Sequence, residues 1–145
     1  MKIFLFFSIT LLSFLSFSQH TKINSQHGYA ANGYDVVTYF SNKAIKGDKK
    51  FTTTYQKIAY KFVSQENLTT FIKNPEKYIP QYGGWCAYAM GKDGSQVKIN
   101  PETFEIIEGK LYLFYNAFGT NTLKKWKEEG AEQLKKQADE YWLKQ

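Results

Sequence analysis

The chain has 145 residues, of which 18% are aromatic and 22% are charged, with a net charge of +6 and a single cysteine. One cysteine excludes an intrachain disulfide, so packing of the apolar side chains must stabilise the fold. The basic residues are all lysines and are interspersed with carboxylates, which disfavours nucleic-acid binding because the bidentate arginine fork is missing.

The first eighteen residues, MKIFLFFSITLLSFLSFS, have one basic residue followed by an apolar and hydroxyl run. This run is shorter than the roughly twenty residues that cross a bilayer, and small residues stand at its end. The pattern predicts a signal peptide over residues 1–18 and a protein exported to the periplasm or the medium. We expect no integral membrane segment in the mature chain, which has the size of one domain.

Residues 19–28 are mostly polar and predict a flexible leader ahead of a single domain over 29–145. The first strand is predicted within 32–40, where β-prone residues follow an Asn-Gly turn signal. Two further short strands are predicted at 51–55 and 58–63. The second of these alternates apolar and polar residues, which is typical of a strand with one buried face.

Ser64 is a suitable cap for a short helix that ends at Asn74, before a proline. Two prolines and a Gly-Gly pair in 75–84 then predict an ordered irregular crossing. After it, WCAYAM at 85–90 is compatible with one or two helical turns, and Gly91 is expected to end them.

The clearest hairpin is NPETFEIIEGKLYLFYN at 100–116, where two runs of residues with strand-like alternation flank a Glu-Gly-Lys turn. Asn121 or Thr122 is expected to cap a helix, and Gly130 separates it from a last amphipathic helix. This order predicts an α+β fold in which a small antiparallel sheet with a C-terminal β-hairpin packs against short helices. We expect a monomer or weak dimer.

Four stretches together resemble the exported YHS-domain proteins: NGYDVVTYF, IAYKFVSQENLTTFIKNPEKYIPQYGGWCAYAM, NPETFEIIEGKLYLFYN and ADEYW. The resemblance covers residues 29–142 and implies a YHS-type α+β domain. YHS domains occur in copper-transporting ATPases, so it also implies heavy-metal handling. Metal-associated versions carry a cysteine in a turn near the start of the domain. The matching stretch here, Tyr34 to Tyr39, has none, which argues against a site with several thiolates.

The candidate metal ligands are Cys86, Met90 and His27. If WCAYAM is helical, the thiol and the thioether are four residues apart on one face, a soft pair suited to Cu(I). The leader histidine would be a third ligand. In the alternative interpretation the cysteine and the methionine are core residues, since both residue types commonly fill buried space.

A second candidate is a binding surface formed by Tyr34, Asp35, Tyr78, Tyr82 and Trp85. The many tyrosines, Tyr60 among them, predict a pocket for an aromatic or apolar small molecule or, alternatively, a half-buried core. The aspartate is expected mainly to bond a turn.

No catalytic residues are predicted, because both histidines lie in or beside the leader and a Cys-His pair would lack a fixed base. We therefore expect a non-catalytic exported binding module. Its ligand is a soft metal such as copper bound through Cys86. The alternative is a metal-free interaction or small-molecule-binding domain in which Cys86 is structural.

Overall fold

The structure of the protein is a computed structural model that describes residues 23–145. The predicted signal peptide and leader residues 19–22 lie outside the described residues. The described part has an α+β fold with a C-terminal β-hairpin, which confirms the predicted fold class. Its helices are α1 (Gln65–Lys73), α2 (Pro75–Tyr78), α3 (Ala87–Asp93), α4 (Thr122–Glu128) and α5 (Ala131–Leu143).

Six strands form three antiparallel pairs: β1 (Asp48–Tyr55) with β2 (Ile58–Phe62), β3 (Asn100–Ile107) with β4 (Lys110–Phe114), and β5 (Asn116–Ala117) with β6 (Thr120–Asn121). Short 3-10 helices occupy Gln26–Gly28, Ala30–Gly33, Thr38–Ser41 and Gln81–Gly84. Across residues 23–145, every helix is too short or too polar to cross a membrane.

The prediction of a strand within 32–40 is wrong, because 3-10 turns occupy both ends of this segment, at Ala30–Gly33 and Thr38–Ser41. Asp35 organises the second turn. Its carboxylate Oδ1 accepts the Val37 amide at 2.8 Å, and its carbonyl accepts the Thr38 hydroxyl at 2.8 Å. Such local side-chain bonds compete with strand pairing, so they override the β propensity of the valines.

The flexible leader does not extend to residue 28. Asn24 is buried, its amide donates to the Gly83 carbonyl at 2.7 Å, and its side chain donates to the Gly84 carbonyl at 3.1 Å. Ile23 packs against the core. The folded domain therefore begins before residue 29.

The first hairpin and the helix after it agree with the prediction. Ile58, Tyr60 and Phe62 are buried on one face of β2. The Ser64 hydroxyl then accepts the Asn67 amide at 3.1 Å and caps α1. Because the cap and the alternation are local signals, the sequence alone was enough to locate both elements.

Helix α3 forms where predicted but continues past Gly91 and ends at Gly94, which has φ +77°. Gly91 instead lies against α5, where an added Cβ would stand 2.5 Å from the Leu134 carbonyl oxygen. The expected helix end at Gly91 is therefore wrong, and this glycine permits close packing of two helices.

The C-terminal elements follow the prediction closely. In the β3–β4 hairpin, Ile107 pairs with Lys110 across the turn. The Asn121 side chain accepts the Lys124 amide at 3.1 Å and caps α4, and Gly130 with φ +103° separates α4 from α5.

Strand β4 lies between the two core clusters, which is why four of its side chains are buried. Leu111 and Leu113 belong to a first cluster with β2, α1 and the turns before β1. Tyr112 and Phe114 belong to a second cluster with α3, α4 and α5. Alternate side chains of a strand point to opposite faces, so one strand joins both clusters.

Candidate functional site

Cys86 is fully buried and its thiol is hydrogen-bonded. Its Sγ lies 3.3 Å from the Thr122 hydroxyl and accepts the Tyr115 amide at 3.4 Å. The Thr122 hydroxyl donates to the Tyr115 carbonyl at 2.8 Å, so the thiol is the donor in the Cys86–Thr122 contact. The three residues form a closed hydrogen-bond set at the start of α3.

Met90 lies one helical turn after Cys86, as the helical spacing predicted, but packs elsewhere. It is fully buried in the second core cluster, whereas Cys86 belongs to the first. The Met90 Sδ accepts a hydrogen bond from the Gln145 side chain at 3.3 Å. The two sulfur atoms therefore have different surroundings.

His27 is exposed and has a left-handed backbone with φ +65°. It lines a polar cleft of about 430 Å³ together with Tyr34 and Glu102, and the Tyr34 hydroxyl donates to Glu102 at 3.4 Å. Cys86 and Met90 do not line this cleft. Among residues 23–145, histidine, cysteine and carboxylate side chains form no group of three or more that could hold a metal.

Asp35 is fully buried and its carboxylate accepts three hydrogen bonds. The donors are the Val37 amide at 2.8 Å, the Val63 amide at 2.9 Å and the Asn67 side chain at 2.7 Å. The expected role in bonding a turn is therefore confirmed. The prediction that Asp35 contributes to a binding surface is wrong, because its carboxylate is enclosed by these donors.

The predicted aromatic surface is mostly internal. Tyr78 and Tyr82 are only 8% and 4% exposed, and Trp85 is half-buried. The Tyr78 ring packs edge-on against Phe40, with the ring centroids 5.1 Å apart. Tyr78 and Tyr82 belong to the core clusters, and of the predicted surface residues Tyr82 lines an open cleft.

This cleft, here called the Tyr82 cleft, has a volume of about 440 Å³ and lies where the two core clusters meet. Its polar rim is formed by side chains from the turn between β1 and β2, from α2, from the Gln81–Gly84 turn and from β4. Apolar side chains line it: Ile23, Tyr60, Ile79, Pro80, Tyr82 and Trp142. The rim consists of Gln56, Glu76, Gln81 and Lys110.

Tyr82 has a left-handed backbone, with φ +53°, and two left-handed glycines follow it. This conformation is unfavourable for a residue with a Cβ. The Asn24 bonds to the Gly83 and Gly84 carbonyls hold the turn in place. The backbone strain therefore lies in the cleft wall, where the Tyr82 ring meets the open space.

The Tyr82 side chain is held by contacts at its hydroxyl and at its ring. Its hydroxyl donates to the Asp139 carboxylate at 2.8 Å, and its ring packs edge-on against Tyr112 and Trp142. Burial, together with the hydrogen bond and charge of Asp139, raises the pKa of Tyr82 above the ordinary value. The phenol is neutral and its orientation is set before any ligand arrives.

Sequence reasoning found part of this cleft. Tyr60 and Tyr82 were among the tyrosines predicted to line a pocket, whereas Ile79, Pro80 and Trp142 were not identified. Two prolines beside a Gly-Gly pair were the available signal for an unusual turn. Nothing local indicates that the end of α5 reaches this turn.

The chain matches no family model, and comparison with curated proteins and with solved structures gives no match. The resemblance to YHS domains therefore stays a prediction. Inference about function rests on the geometry of the residues themselves.

Proposed function

We propose that this protein is an exported, non-catalytic binding module with a YHS-type fold that takes a small apolar or aromatic molecule in the Tyr82 cleft. The observation that carries the proposal is the cleft itself. It combines an apolar, aromatic wall with a rim of polar side chains, and the two contribute about equally to its surface. Its volume is within the range of small-molecule sites, and its polar side chains could orient a ligand against the aromatic wall.

The strained turn supports the same site. Left-handed non-glycine residues cost free energy and persist where the surrounding structure enforces them, often at binding sites. Tyr82 meets this description, since Asn24 and Asp139 fix its backbone and its hydroxyl. A ligand would therefore meet a preorganised ring and lose little affinity to ordering it.

The surroundings of Cys86 support a non-catalytic role. A thiol nucleophile needs an adjacent base that removes its proton. The Cys86 Sγ instead contacts the Thr122 hydroxyl and the Tyr115 amide, and neither group is a base at neutral pH. The thiol is also fully buried, so a substrate has no direct access to it.

Copper binding through Cys86, Met90 and His27 is the competing proposal. The three donors do not fit one ion as they stand, because the two sulfurs lie in different core clusters and the histidine lines a separate cleft. Metal binding would require the thiol to leave its bonds with Thr122 and Tyr115. We therefore favour the metal-free function.

The cleft is tested by titrating the mature protein with N-phenyl-1-naphthylamine, a neutral aromatic probe whose fluorescence rises in apolar sites. Ile79→Ala, which trims the cleft wall, should weaken probe binding by about fivefold or more. Ile72→Ala is the matched control, since Ile72 is 56% exposed on α1 and does not line the cleft. Absence of probe binding, or equal effects of the two substitutions, would contradict the proposal.

The copper alternative is tested separately by Cu(I) competition under reducing conditions with the mature protein and Cys86→Ser. We expect neither protein to compete for the ion, because the thiol is enclosed. Tight one-to-one binding that the substitution abolishes would establish a metal site at Cys86 and overturn the metal-free function.

A further inference from the structure

Phe118 is the most exposed large apolar residue in the described part of the chain, with 94% of its surface open to solvent. It lies at the apex of the β5–β6 hairpin, in which Ala117 pairs with Thr120. The apex consists of Phe118 and Gly119 alone. The ring therefore projects from the tip of a tight two-residue turn.

The backbone of Phe118 is unfavourable as well. Its φ is +50° and that of Gly119 is +76°, so both central residues of the turn are left-handed. Turns of this kind favour asparagine, aspartate or glycine at the first central position. Phe118 therefore has both an unfavourable backbone conformation and an exposed apolar ring. Packing within residues 23–145 compensates for neither, because the ring is open to solvent.

Exposed lysines lie around the hairpin, with the carboxylate of Glu102 in the cleft beside Ala117. The sequence from Gly109 to Lys127 contains no acidic residue. Lys124 and Lys125 are exposed in the first turn of α4, which begins directly after β6, and Lys98 lines the same cleft as Ala117. Lys124 forms only a long contact of 3.8 Å with Glu128, in which both side chains are more than half exposed.

We propose that the β5–β6 hairpin is a membrane-surface contact. Phe118 enters the boundary between head groups and acyl chains, while Lys98, Lys124 and Lys125 face anionic head groups. An aromatic residue beside lysines is the combination that binds such surfaces, and each lysine near the surface adds attraction.

The shape of the tip favours a lipid surface over a protein pocket. A protein hot spot is normally surrounded by a ring of further contacts that exclude water. Phe118 is flanked by Ala117 and Gly119, which offer little contact area beside the aromatic ring. A fluid lipid surface needs no matching shape, so a single projecting ring is sufficient there.

The proposal is tested by co-sedimentation of the mature protein with vesicles of phosphatidylcholine and phosphatidylglycerol, and with vesicles of phosphatidylcholine alone. We expect binding to the anionic vesicles that weakens at high salt, since screening reduces the lysine attraction. Phe118→Asn should lower the partition coefficient by about tenfold or more, because it removes the inserted ring.

Asparagine tolerates the left-handed turn, so the melting temperature of this variant should be unchanged or higher. Leu143→Asn is the matched control, since Leu143 is 85% exposed at the end of α5 and should not affect partition. Absence of vesicle binding, or equal binding by Phe118→Asn, would overturn the proposal. So would a loss that occurs only together with a lowered melting temperature.

Discussion

Asp35 and Tyr82 are both interior residues with a polar group, yet their surroundings differ. The Asp35 carboxylate is enclosed by three N–H donors, which leave no side of it open. The Tyr82 hydroxyl contacts the Asp139 carboxylate and, at 3.5 Å, the Lys135 carbonyl, while its backbone is strained and its side chain lines an open cleft. The difference indicates that Asp35 holds the fold together, and it is the reason why we place the proposed binding site at Tyr82.

Asp35 also joins distant parts of the chain, which explains why it matters to the fold. Its carboxylate Oδ2 accepts the amide of Val63, which directly follows β2, and the side-chain amide of Asn67 in α1. These two bonds fix the early turns against the first hairpin and helix, while the third, from the Val37 amide, closes the turn itself. A buried carboxylate is tolerated there because hydrogen bonds replace its lost hydration.

The largest expected effect comes from Asp35→Ala. Removing the carboxylate leaves buried donors without an acceptor, so the free energy of unfolding should fall by about 3 kcal/mol or more. Asp48→Ala is the control, because Asp48 is exposed and bonds only the nearby Lys50 amide, and it should change stability by less than about 0.5 kcal/mol. Urea unfolding measures the free energy of unfolding of both variants. Similar losses in the two would contradict a special role of the Asp35 carboxylate in holding the fold together.

A second effect is expected at alkaline pH. Burial raises the pKa of Tyr82 above 10.0, and burial raises the pKa values of Tyr39 and Tyr60 in the same direction. Below pH 10 these phenols are protonated in both states and add no pH dependence. Above pH 10 the unfolded state ionises first, so stability should fall by up to about 1.4 kcal/mol per pH unit for each tyrosine.

The measurement is urea unfolding at pH values on either side of 10, for the natural chain and for Tyr82→Phe. The variant should lose stability less steeply, because it lacks one of the titrating phenols. Equal slopes would show that the Tyr82 hydroxyl is not sequestered from solvent in the folded state.

The smallest effect is expected from Tyr82→Phe at neutral pH. The substitution removes the bond to Asp139 but keeps the ring against Tyr112 and Trp142, so stability should fall by about 1 kcal/mol. Probe affinity in the Tyr82 cleft should stay close to that of the natural chain. A large loss of affinity without a loss of stability would instead make the hydroxyl a direct ligand contact.

Elements with local signals were predictable from the sequence. Ser64 and Asn121 are caps that need only the amide three residues later, and the alternation in β2 and β4 is visible in the residue types. The turns before β1 were not predictable, because Asp35 is completed by donors 28 and 32 residues away. Propensity cannot anticipate bonds that exist only after folding.

The candidate site was predictable only in part for the same reason. Tyr60 and Tyr82 stood out as aromatic residues, but their cleft also requires Ile23 and Trp142 from opposite ends of the described chain. The left-handed backbone of Tyr82 cannot be predicted from the sequence, since glycine, asparagine and aspartate are the residues that suggest this conformation and tyrosine is not. The spacing of Cys86 and Met90 is compatible with both a metal site and core packing, because it fixes only that the two residues are one helical turn apart.

The burial of Cys86 affects how readily the protein forms intermolecular disulfides. In an oxidising compartment a lone accessible thiol tends to form mixed disulfides or covalent dimers, and only the thiolate reacts quickly. Cys86 is withheld from that chemistry as long as Thr122 and Tyr115 enclose it. Covalent dimers should therefore form only from unfolded molecules. The rate at which they accumulate would then measure how often the domain unfolds.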